Sequence, residues 1–333
     1  MSGPIFAIET SCDDTCAAVV TQEGEILSNV ISSQSELHAR YGGVVPEVAS
    51  RHHLELVNVV VEEALAQAGT AIADVEAVAA TSRPGLIGAL LVGLSTAKAL
   101  AAASGRPFIA VDHLHGHVCA NFLEPEPLDP PFLCLIASGG HTLLAWVEDH
   151  RGYTELGSTR DDAAGEALDK AARLMGLGFP GGAVIDRLAR EGDPQAFAFP
   201  VGMRRSDSLE FSFSGLKTAL VYAVREMGPE RVEERRADLA ASFQRAVVDQ
   251  LMAKLEQGIE RTGAERVAVG GGVAANSELR ARLVALCAVR GLALKIPPPA
   301  LCTDNAAMIA SAARFGEPVP YPRFLGFDAF ARR

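Results

Sequence analysis

Several short patterns that identify common enzyme classes are absent from this sequence of 333 residues. It contains no HExxH, in which the glutamate serves a zinc peptidase as general base, and no GxSxG, which marks the nucleophile of many serine hydrolases. No GKS or GKT follows its glycine-rich stretches, so a Walker phosphate-binding loop is excluded as well. These absences rule out peptidase chemistry and the P-loop type of nucleotide binding.

Paired cysteines, long apolar runs and excess positive charge are also missing. The six cysteines form no CxxC pair, which favours reduced thiols in a cytosolic protein. No apolar run reaches about 18 residues without polar groups, and the N-terminus does not follow the signal-peptide pattern, so we expect a cytoplasmic protein that does not span a membrane. The net charge of −11 argues against nucleic-acid binding by the whole surface. The local basic candidates are Arg204-Arg205 and residues 231–236, of which the second is more typical of a solvated helix face.

The predicted strands, turns and helices occur twice in the same order. Residues 5–27 predict a three-stranded meander, and residues 75–123 predict a strand, a glycine-containing loop, a helix, a strand and a helix. Residues 132–156 and 266–314 repeat these two blocks. The chain is therefore predicted to hold two copies of one α/β unit, packed around a central cleft.

A proline-rich stretch separates the two copies. Four prolines fall within residues 124–131, which excludes a helix interior or a central strand there. We predict a two-lobed α/β fold with three parts: an N-terminal lobe over residues 1–125, a C-terminal lobe over 131–300 with a mostly helical insertion over roughly 160–260, and a C-terminal helix and tail over 301–333 that packs back on the first lobe.

A histidine-rich stretch, HLHGH at 113–117, follows the last predicted strand of the first copy. On a helix, His113 and His117 lie one turn apart on one face and can bind one metal ion, whereas His115 points elsewhere. For this stretch alone, a surface helix that is merely rich in histidine is the alternative. Asp304 follows the last strand of the second copy in the same way, so pseudo-symmetry predicts that the two helix starts face each other across the cleft. Two imidazoles and one carboxylate with open coordination positions suit Fe(II), with Zn(II) as the competitor.

Two hydroxyl-rich turns occupy equivalent positions in the two copies. Residues 138–142 (SGGHT) join two predicted strands, and their glycines and hydroxyls can offer donors to an anion. Together with Thr10-Ser11 of the first copy they are predicted to hold a phosphate from both sides, although such turns are often only hairpins. The Gly270–Gly272 turn opens a helix and is a further phosphate or nucleoside candidate, with a flexible loop as the alternative. Judged from its residue types alone, the acidic segment 161–170 is predicted to be a solvated helix face.

Taken in order, these motifs are similar to those of the tRNA N6-adenosine threonylcarbamoyltransferase (TsaD) family over almost the whole chain. The matching stretches are IETSCDDT (8–15), GGVVPEVASR (42–51), PGLIGALLVG (84–93), HLHGH (113–117), SGGHT (138–142), DDAAGEALDKAARLMGL (161–177), FPGG (179–182), FSFSGLKTA (211–219), GGGVAAN (270–276) and LCTDNAAMIA (301–310). So many long matches in one order make a chance resemblance negligible.

The resemblance implies the fold of actin, the sugar kinases and the Hsp70 ATPases. It implies one metal ion per chain, iron in the family's usual assignment, held by His113, His117 and Asp304. It also implies that threonylcarbamoyl-adenylate lies in the cleft against two sets of residues: Ser138, Gly139, Gly140, His141 and Thr142 around its phosphate and threonylcarbamoyl part, and Asp169, Gly182, Asp186 and Asn276 around its nucleoside. Asp14 is the one further candidate for a catalytic role.

The implied reaction moves the threonylcarbamoyl group to N6 of the adenosine just 3′ of the anticodon in tRNAs that read codons beginning with A, and it releases AMP. The implied partners are the tRNA anticodon loop, a paralogous TsaB-type subunit of the same fold and a small TsaE-type P-loop ATPase. Three residues depart from the usual family pattern: Arg83, His115 and Asp14. An actin-fold small-molecule kinase or ATPase and a non-catalytic scaffold of the same fold are the alternatives.

Overall fold

The computed structural model describes residues 3–203 and 206–332, so the basic pair Arg204-Arg205 lies outside the described residues. The chain divides into two compact units. The first comprises Met1–Asp129, Asp149–Gly152 and Thr303–Arg333, and the second comprises Pro130–Glu148 and Tyr153–Cys302. Each unit is built on a five-stranded sheet.

Helices account for most of the remaining described chain. In chain order they are α1 (Ser35–Ala39), α2 (Pro46–Ala68), α3 (Ile87–Ser104), α4 (His113–Cys119), α5 (Ala164–Leu174), α6 (Gly181–Ala189), α7 (Ser214–Glu234), α8 (Arg236–Thr262), α9 (Ser277–Arg290), α10 (Pro299–Cys302) and α11 (Ala306–Ala313). The four helices α5 to α8 follow the meander of the second unit.

The first sheet brings together the ends of its three parallel strands. Its strands are β1 (Ile5–Glu9), β2 (Asp14–Val20), β3 (Ile26–Ser33), β4 (Ala77–Arg83) and β5 (Phe108–Asp112), in the order β3-β2-β1-β4-β5. β1 pairs antiparallel with β2 and parallel with β4, and β4 pairs parallel with β5. Parallel strands end at the same edge of a sheet, so Glu9, Thr81 and the start of α4 at His113 lie close together.

The helix α3 is long and apolar enough to cross a membrane, judged by length and composition alone. Its residues Leu90, Leu94 and Ala97 are buried in the apolar core of the first unit, which also contains Ile8 of β1 and Val78 of β4. An apolar face packed on a sheet in this way is the usual construction of a core helix.

The second sheet repeats the plan of the first and confirms the predicted duplication. Its strands are β6 (Phe132–Ala137), β7 (Thr142–Asp149), β8 (Gly152–Ser158), β9 (Arg266–Gly270) and β10 (Ala293–Lys295), in the order β10-β9-β6-β7-β8. Here β6 takes the place of β1, because it pairs antiparallel with β7 and parallel with β9, and β9 pairs parallel with β10.

Residues 231–236 connect the end of α7 to the start of α8. Two of their basic side chains are already paired with acids: Arg235 Nε lies 2.6 Å from Asp238 Oδ2, and Arg236 forms an ion pair with Glu233. This segment is therefore a mixed-charge surface and does not form the basic patch that RNA binding would require.

Candidate functional site

The two predicted metal-binding histidines lie where β5 passes into α4. Asp112 caps this helix, since its carboxylate accepts hydrogen bonds from two backbone N–H groups of the first turn, at 2.9 and 3.2 Å. The cap fixes the first turn and with it the direction of His113. Gly116 lies at a point where a Cβ atom would come within 2.7 Å of the Ile309 side chain. The missing side chain therefore allows α4 and α11 to pack closely.

Asp304, in the bend before α11, meets both histidines within the first unit. Its Oδ1 lies 3.5 Å from His113 Nε2 and 3.3 Å from His117 Nε2. One ligand atom from each of the three residues lies within 4.8 Å of the other two. Within residues 3–203 and 206–332, this is the one group of histidine, cysteine and carboxylate side chains close enough to share an ion.

The prediction that Asp304 approaches the histidines from the second copy is wrong. Thr303–Arg333 belongs to the first unit, where α11 contacts β1, β2 and α4. All residues of α11 are buried, and most of them are alanines. A short apolar helix with small side chains can pack tightly on a sheet, and this packing brings Asp304 to the histidines of its own unit.

The surroundings of the three ligands favour a cation. His117 is fully buried, yet apart from its ion-pair contact with Asp304 neither ring nitrogen has a hydrogen-bond partner among the described residues. Such a group is costly unless something binds it. Burial acts to lower the pKa of His113, but the charges of Asp304 and Glu9 outweigh it and raise that pKa to about 9. Two nitrogens and one oxygen in this negative environment fit a divalent transition metal.

Glu9 forms a second layer behind His113. It is fully buried at the end of β1, and its Oε2 lies 3.1 Å from His113 Nδ1. Glu9 also accepts hydrogen bonds from Ser11 N and Thr81 Oγ1. Burial alone would raise the pKa of Glu9, but the charge and hydrogen bond of His113 outweigh it, so the pKa is lowered. When Nδ1–H donates to this carboxylate, the lone pair of Nε2 faces Asp304 and is available to a metal.

Two further carboxyl groups lie where the turn after β1 passes into β2: Asp13 in the turn and Asp14 at the first position of the strand. Burial is the main cause that raises the pKa of Asp14 to about 7, and the charges of Asp304 and Asp13 add to it. Asp14 Oδ1 is buried and has no hydrogen-bond partner among the described residues. A carboxyl group with a pKa near neutrality can both take up and release a proton at physiological pH.

The hydroxyl groups of Thr10 and Ser11, predicted to hold a phosphate, are engaged inside the first unit. Thr10 Oγ1 donates to Ala89 O at 2.8 Å and accepts from Gly93 N at 3.2 Å. Ser11 Oγ lies 3.1 Å from His113 Nδ1. This turn therefore packs against α3 and supports the metal ligands.

Two of the residues that depart from the family pattern lie beside the site. His115 Nε2 contacts Cys119 Sγ at 3.4 Å, one turn further along α4, and does not join the three ligands. Arg83 Nε lies 3.5 Å from Asp112 Oδ2, and its side chain is 52% exposed. Arg83 therefore contacts the carboxylate that caps the histidine-bearing helix.

In the second unit, residues 138–142 form the tight turn between β6 and β7. Ser138 N donates to His141 O at 2.8 Å, and Ser138 Oγ accepts from His141 N at 3.1 Å. Thr142 is buried, and its Oγ1 accepts a 2.9 Å hydrogen bond from the backbone at the start of α5. Both glycines of the turn are exposed with open space around them. What this turn offers a ligand is therefore mainly exposed glycine backbone.

The residues predicted to bind a nucleoside also tie helix ends together. Asp169 Oδ1 accepts a 2.7 Å hydrogen bond from the first residue of α6, and Gly182 is the second residue of that helix. Asn276 caps α9 by accepting from its third residue at 3.0 Å. Asp186 Oδ1 accepts from the backbone N–H and the hydroxyl of Ser277, at 2.9 and 2.8 Å. The structure thus brings Asp186 and Asn276 to one end of α9, and it gives Asp169 a capping role at α6.

Two glycines show how closely the loops of the second unit meet. A Cβ on Gly165, in the first turn of α5, would lie 2.7 Å from Ser138 O. Gly271 has a φ of 87°, and a Cβ there would lie 3.1 Å from Ser138 Cβ. The Gly270–Gly272 turn is therefore packed against the turn at 138–142. This close packing and the positive φ explain why residue 271 is a glycine.

Sequence reasoning missed two buried residues that support the first site, Glu9 and His53. Glu9 ends the otherwise apolar strand IFAIE. His53 lies on the buried face of α2, four residues from Ala49 and four from Val57. A charged or polar residue in an apolar periodic position is the signal that could have identified both.

The family model and the sequence relatives indicate the same family. A family model described as "TsaD: tRNA N6-adenosine threonylcarbamoyltransferase" matches residues 25–311. The protein of that name from Clostridium perfringens (strain SM101 / Type A) is 52% identical over 311 residues, which are 93% of this chain and 92% of the relative. The one from Clostridium botulinum (strain 657 / Type Ba4) is 51% identical with the same coverage.

Solved structures of low sequence identity show the fold alone. HypF from T. kodakarensis superposes with a TM-score of 0.64 at 14% identity, over 94% of this chain and 47% of that one. Component A of (R)-2-hydroxyglutaryl-CoA dehydratase from Acidaminococcus fermentans gives a TM-score of 0.55 at 15% identity, over 93% and 95% of the two chains. The duplicated sheets and these neighbours identify the α/β fold of the actin-like ATPases. Because the family model matches residues 25–311 and the relative from Clostridium perfringens is 52% identical, the chain belongs to the tRNA N6-adenosine threonylcarbamoyltransferase family.

Proposed function

We propose that this protein transfers the threonylcarbamoyl group of threonylcarbamoyl-adenylate to N6 of an adenosine in tRNA, with release of AMP. The adenosine is the one 3′ of the anticodon in tRNAs that read codons beginning with A. The observation that supports this proposal most strongly is the convergence of His113, His117 and Asp304 in a member of this family.

The three ligands would hold one Fe(II), with Zn(II) as the competitor. When bound, such an ion supplies Lewis-acid polarisation of a substrate oxygen. Glu9 fixes the ring of His113 through Nδ1, so that Nε2 is available as a ligand. The buried nitrogens of His117, which lack hydrogen-bond partners in the described chain, support the same assignment.

Asp14 is the carboxylate that we propose as general base. In the reaction, N6 of adenosine attacks the carbamoyl carbon, the bond from that carbon to the phosphate oxygen breaks, and AMP leaves. The amine must lose one proton, and the carboxylate of Asp14 takes it up. In the metal-free protein the pKa of Asp14 is raised to about 7, mainly by burial, which makes this carboxylate more basic than an exposed one and supports its role as a proton acceptor.

The donor would lie against the second unit. Its phosphate and threonylcarbamoyl part would meet residues 138–142, where exposed glycine backbone can donate hydrogen bonds to an anion. Its nucleoside would meet Gly182 at the start of α6, and Asp186 and Asn276 at the start of α9. Asp169 would contribute mainly by holding α6 in place, since it caps that helix.

The partners would be a TsaB-type subunit of the same fold and a TsaE-type P-loop ATPase, in the cytoplasm. Large apolar side chains are exposed on two adjacent helices: Leu54 on α2, and Ile87 and Leu91 on α3. The helices touch near these residues, because a Cβ on Gly88 would lie 3.1 Å from Ser50 Cβ. An exposed apolar surface on two packed helices supports docking of a partner protein. Such a partner can also share the contacts to tRNA that a chain of net charge −11 lacks.

The test is a reconstituted reaction. Protein purified with its partner subunits is given threonylcarbamoyl-adenylate and unmodified tRNA, and the nucleosides are analysed by mass. We expect threonylcarbamoyladenosine from the wild type and from Asp74→Ala, which removes an exposed carboxylate of the same unit. We expect no product above background from Asp304→Ala. Absence of product from the complete wild-type system would contradict the proposal.

A further inference from the structure

We propose that His53 is a positioning residue that holds the acidic turn in place beside the metal ligands, where the acidic turn means residues 12–15, the end of the β1–β2 connection and the first two residues of β2. The inference deepens the proposed function, because this turn carries Asp14. Its effect on the turn itself can be tested without the transferase reaction.

His53 contacts the turn on both sides of its two carboxylates. Its Nε2 lies 3.0 Å from Cys12 O, and its Nδ1 lies 2.8 Å from Thr15 Oγ1. A carbonyl oxygen can only accept, so Nε2 carries the proton and Nδ1 accepts from the hydroxyl of Thr15. One imidazole on α2 therefore binds the residue before Asp13 and the residue after Asp14.

Gln34 completes the connection from the side of β3. Its Nε2 lies 3.3 Å from His53 Nδ1 and 3.4 Å from Ala49 O, and its backbone N–H donates to Asp13 O at 3.0 Å. His53, Thr15 and Gln34 are all buried. Loss of His53 would leave buried polar atoms of the turn without this partner, which costs free energy, so its contacts restrain the turn.

The restrained turn lies close to the metal ligands. Cys16, the residue that follows the turn, contacts the backbone carbonyl of Asp304 through its Sγ at 3.7 Å. A small displacement of a proton acceptor from its productive position can lower a rate by about 100-fold. Because His53 makes none of the contacts of the three metal ligands, its loss should change the position of the turn and leave metal affinity unchanged.

The reactivity of the Cys12 thiol can be used to measure whether the turn is held in place. It is partly exposed, whereas the other five cysteines are buried. Burial and the neighbouring Asp13 raise the pKa of its thiol, so it should react slowly with a thiol reagent while the turn is held. A loosened turn should expose Cys12 and speed its modification.

The experiment compares His53→Leu with His52→Leu, its neighbour on the same helix, whose side chain is 33% exposed and pairs with Glu55. Thr15→Val serves as a milder change that removes one hydrogen bond at nearly constant volume. Modification of each cysteine by iodoacetamide is followed by mass spectrometry, together with metal affinity and, in the reconstituted reaction, kcat and KM.

For His53→Leu we expect Cys12 to react at least about tenfold faster, with the five buried cysteines unchanged. We also expect kcat to fall about 10- to 100-fold with little change in KM or metal affinity. Thr15→Val should show the same pattern more weakly, and His52→Leu should match the wild type.

Two results would overturn the proposal. Equal acceleration of all six cysteines would mean that His53 only supports the fold of the unit. If His53→Leu does not fold, the milder Thr15→Val variant provides the same comparison between Cys12 and the buried cysteines. Unchanged Cys12 reactivity in both variants would mean that His53 does not hold the turn. Because thiol modification needs no transferase activity, an inactive wild type would sink the proposed function and leave this test intact.

Discussion

The two clusters of predicted site residues, one in each unit, are built in opposite ways. In the first unit, His117 and Asp14 bury polar atoms that have no hydrogen-bond partner in the described chain. In the second unit, Asp186 and Asn276 already accept hydrogen bonds from helix backbones. The first arrangement carries a free-energy cost that a bound ion or a proton can relieve, and the second stabilises the fold whether or not a ligand is present.

Because of this contrast, we expect the two clusters to respond differently to mutation. Removal of an unsatisfied group from the first site should impair binding while leaving or improving stability. Removal of a capping group from the second site should lower stability. Four substitutions test this contrast, in order of decreasing expected effect.

Asp14→Asn should stabilise the metal-free protein at high pH. The pKa of Asp14 is raised from 3.8 in the unfolded chain to about 7 in the folded one. Stability from its protonated form is therefore fully present below about pH 3.8 and is lost as the pH rises to about 7. The variant should gain about 2–4 kcal/mol over the wild type at pH 8, with a smaller gain at pH 5. Urea unfolding at both pH values measures this, with the exposed Asp74→Asn as control, and a gain independent of pH would contradict the assignment.

Glu9→Gln should weaken metal binding about 10- to 100-fold, the usual effect of losing an outer carboxylate partner of a metal-bound histidine. Thr81→Val is the matched control, because it removes another hydrogen bond of Glu9 and leaves the contact with His113 intact. Competition titrations with a chromophoric chelator give both affinities. Equal affinity of Glu9→Gln and wild type would show that Glu9 does not prepare His113 for the metal.

Asn276→Ala should lower the free energy of unfolding by about 1–2 kcal/mol, since the cap of α9 is lost. The same change also removes a buried hydrogen bond of 2.7 Å to Gln244. Thermal unfolding in the absence of ligand checks this, with the exposed Asn58→Ala as the comparison. An unchanged melting temperature would contradict the view that this residue stabilises the second unit on its own.

Arg83→Ala should have the smallest effect, within about 0.5 kcal/mol of the wild-type stability. The ion pair of Arg83 with Asp112 is long, at 3.5 Å, and half exposed, and such pairs contribute little. Denaturant unfolding at low and high salt measures it. A larger, salt-sensitive loss would mean that the pair helps to start α4.

Much of the fold could be predicted from the sequence, because strand alternation and turn residues are local signals. These signals predicted the repeated meander and the repeated strand–helix–strand unit. The two sheets have equivalent strand orders, which confirms the repeat. The shared face of His113 and His117 is likewise a consequence of helix geometry over four residues.

Contacts between distant parts of the chain could not be predicted in this way. Pseudo-symmetry placed Asp304 across the cleft from the histidines, whereas the packing of α11 against β1 and β2 places it in their own unit. The bonds of Glu9 to His113 and of His53 to Cys12 join residues 104 and 41 positions apart. Local patterns also do not show whether a hydroxyl group already forms a hydrogen bond within the protein. The Thr142 hydroxyl, for example, accepts one from the backbone at the start of α5.

We propose that His113, His117 and Asp304 together hold one metal ion. The most direct measurement is the metal content of protein purified without oxygen, for the wild type, Asp304→Ala and the control Asp74→Ala. We predict close to one equivalent of a single divalent transition metal in the wild type and the control, and almost none in Asp304→Ala. A metal-free wild type, or an Asp304→Ala variant that keeps its full equivalent, would contradict the claim.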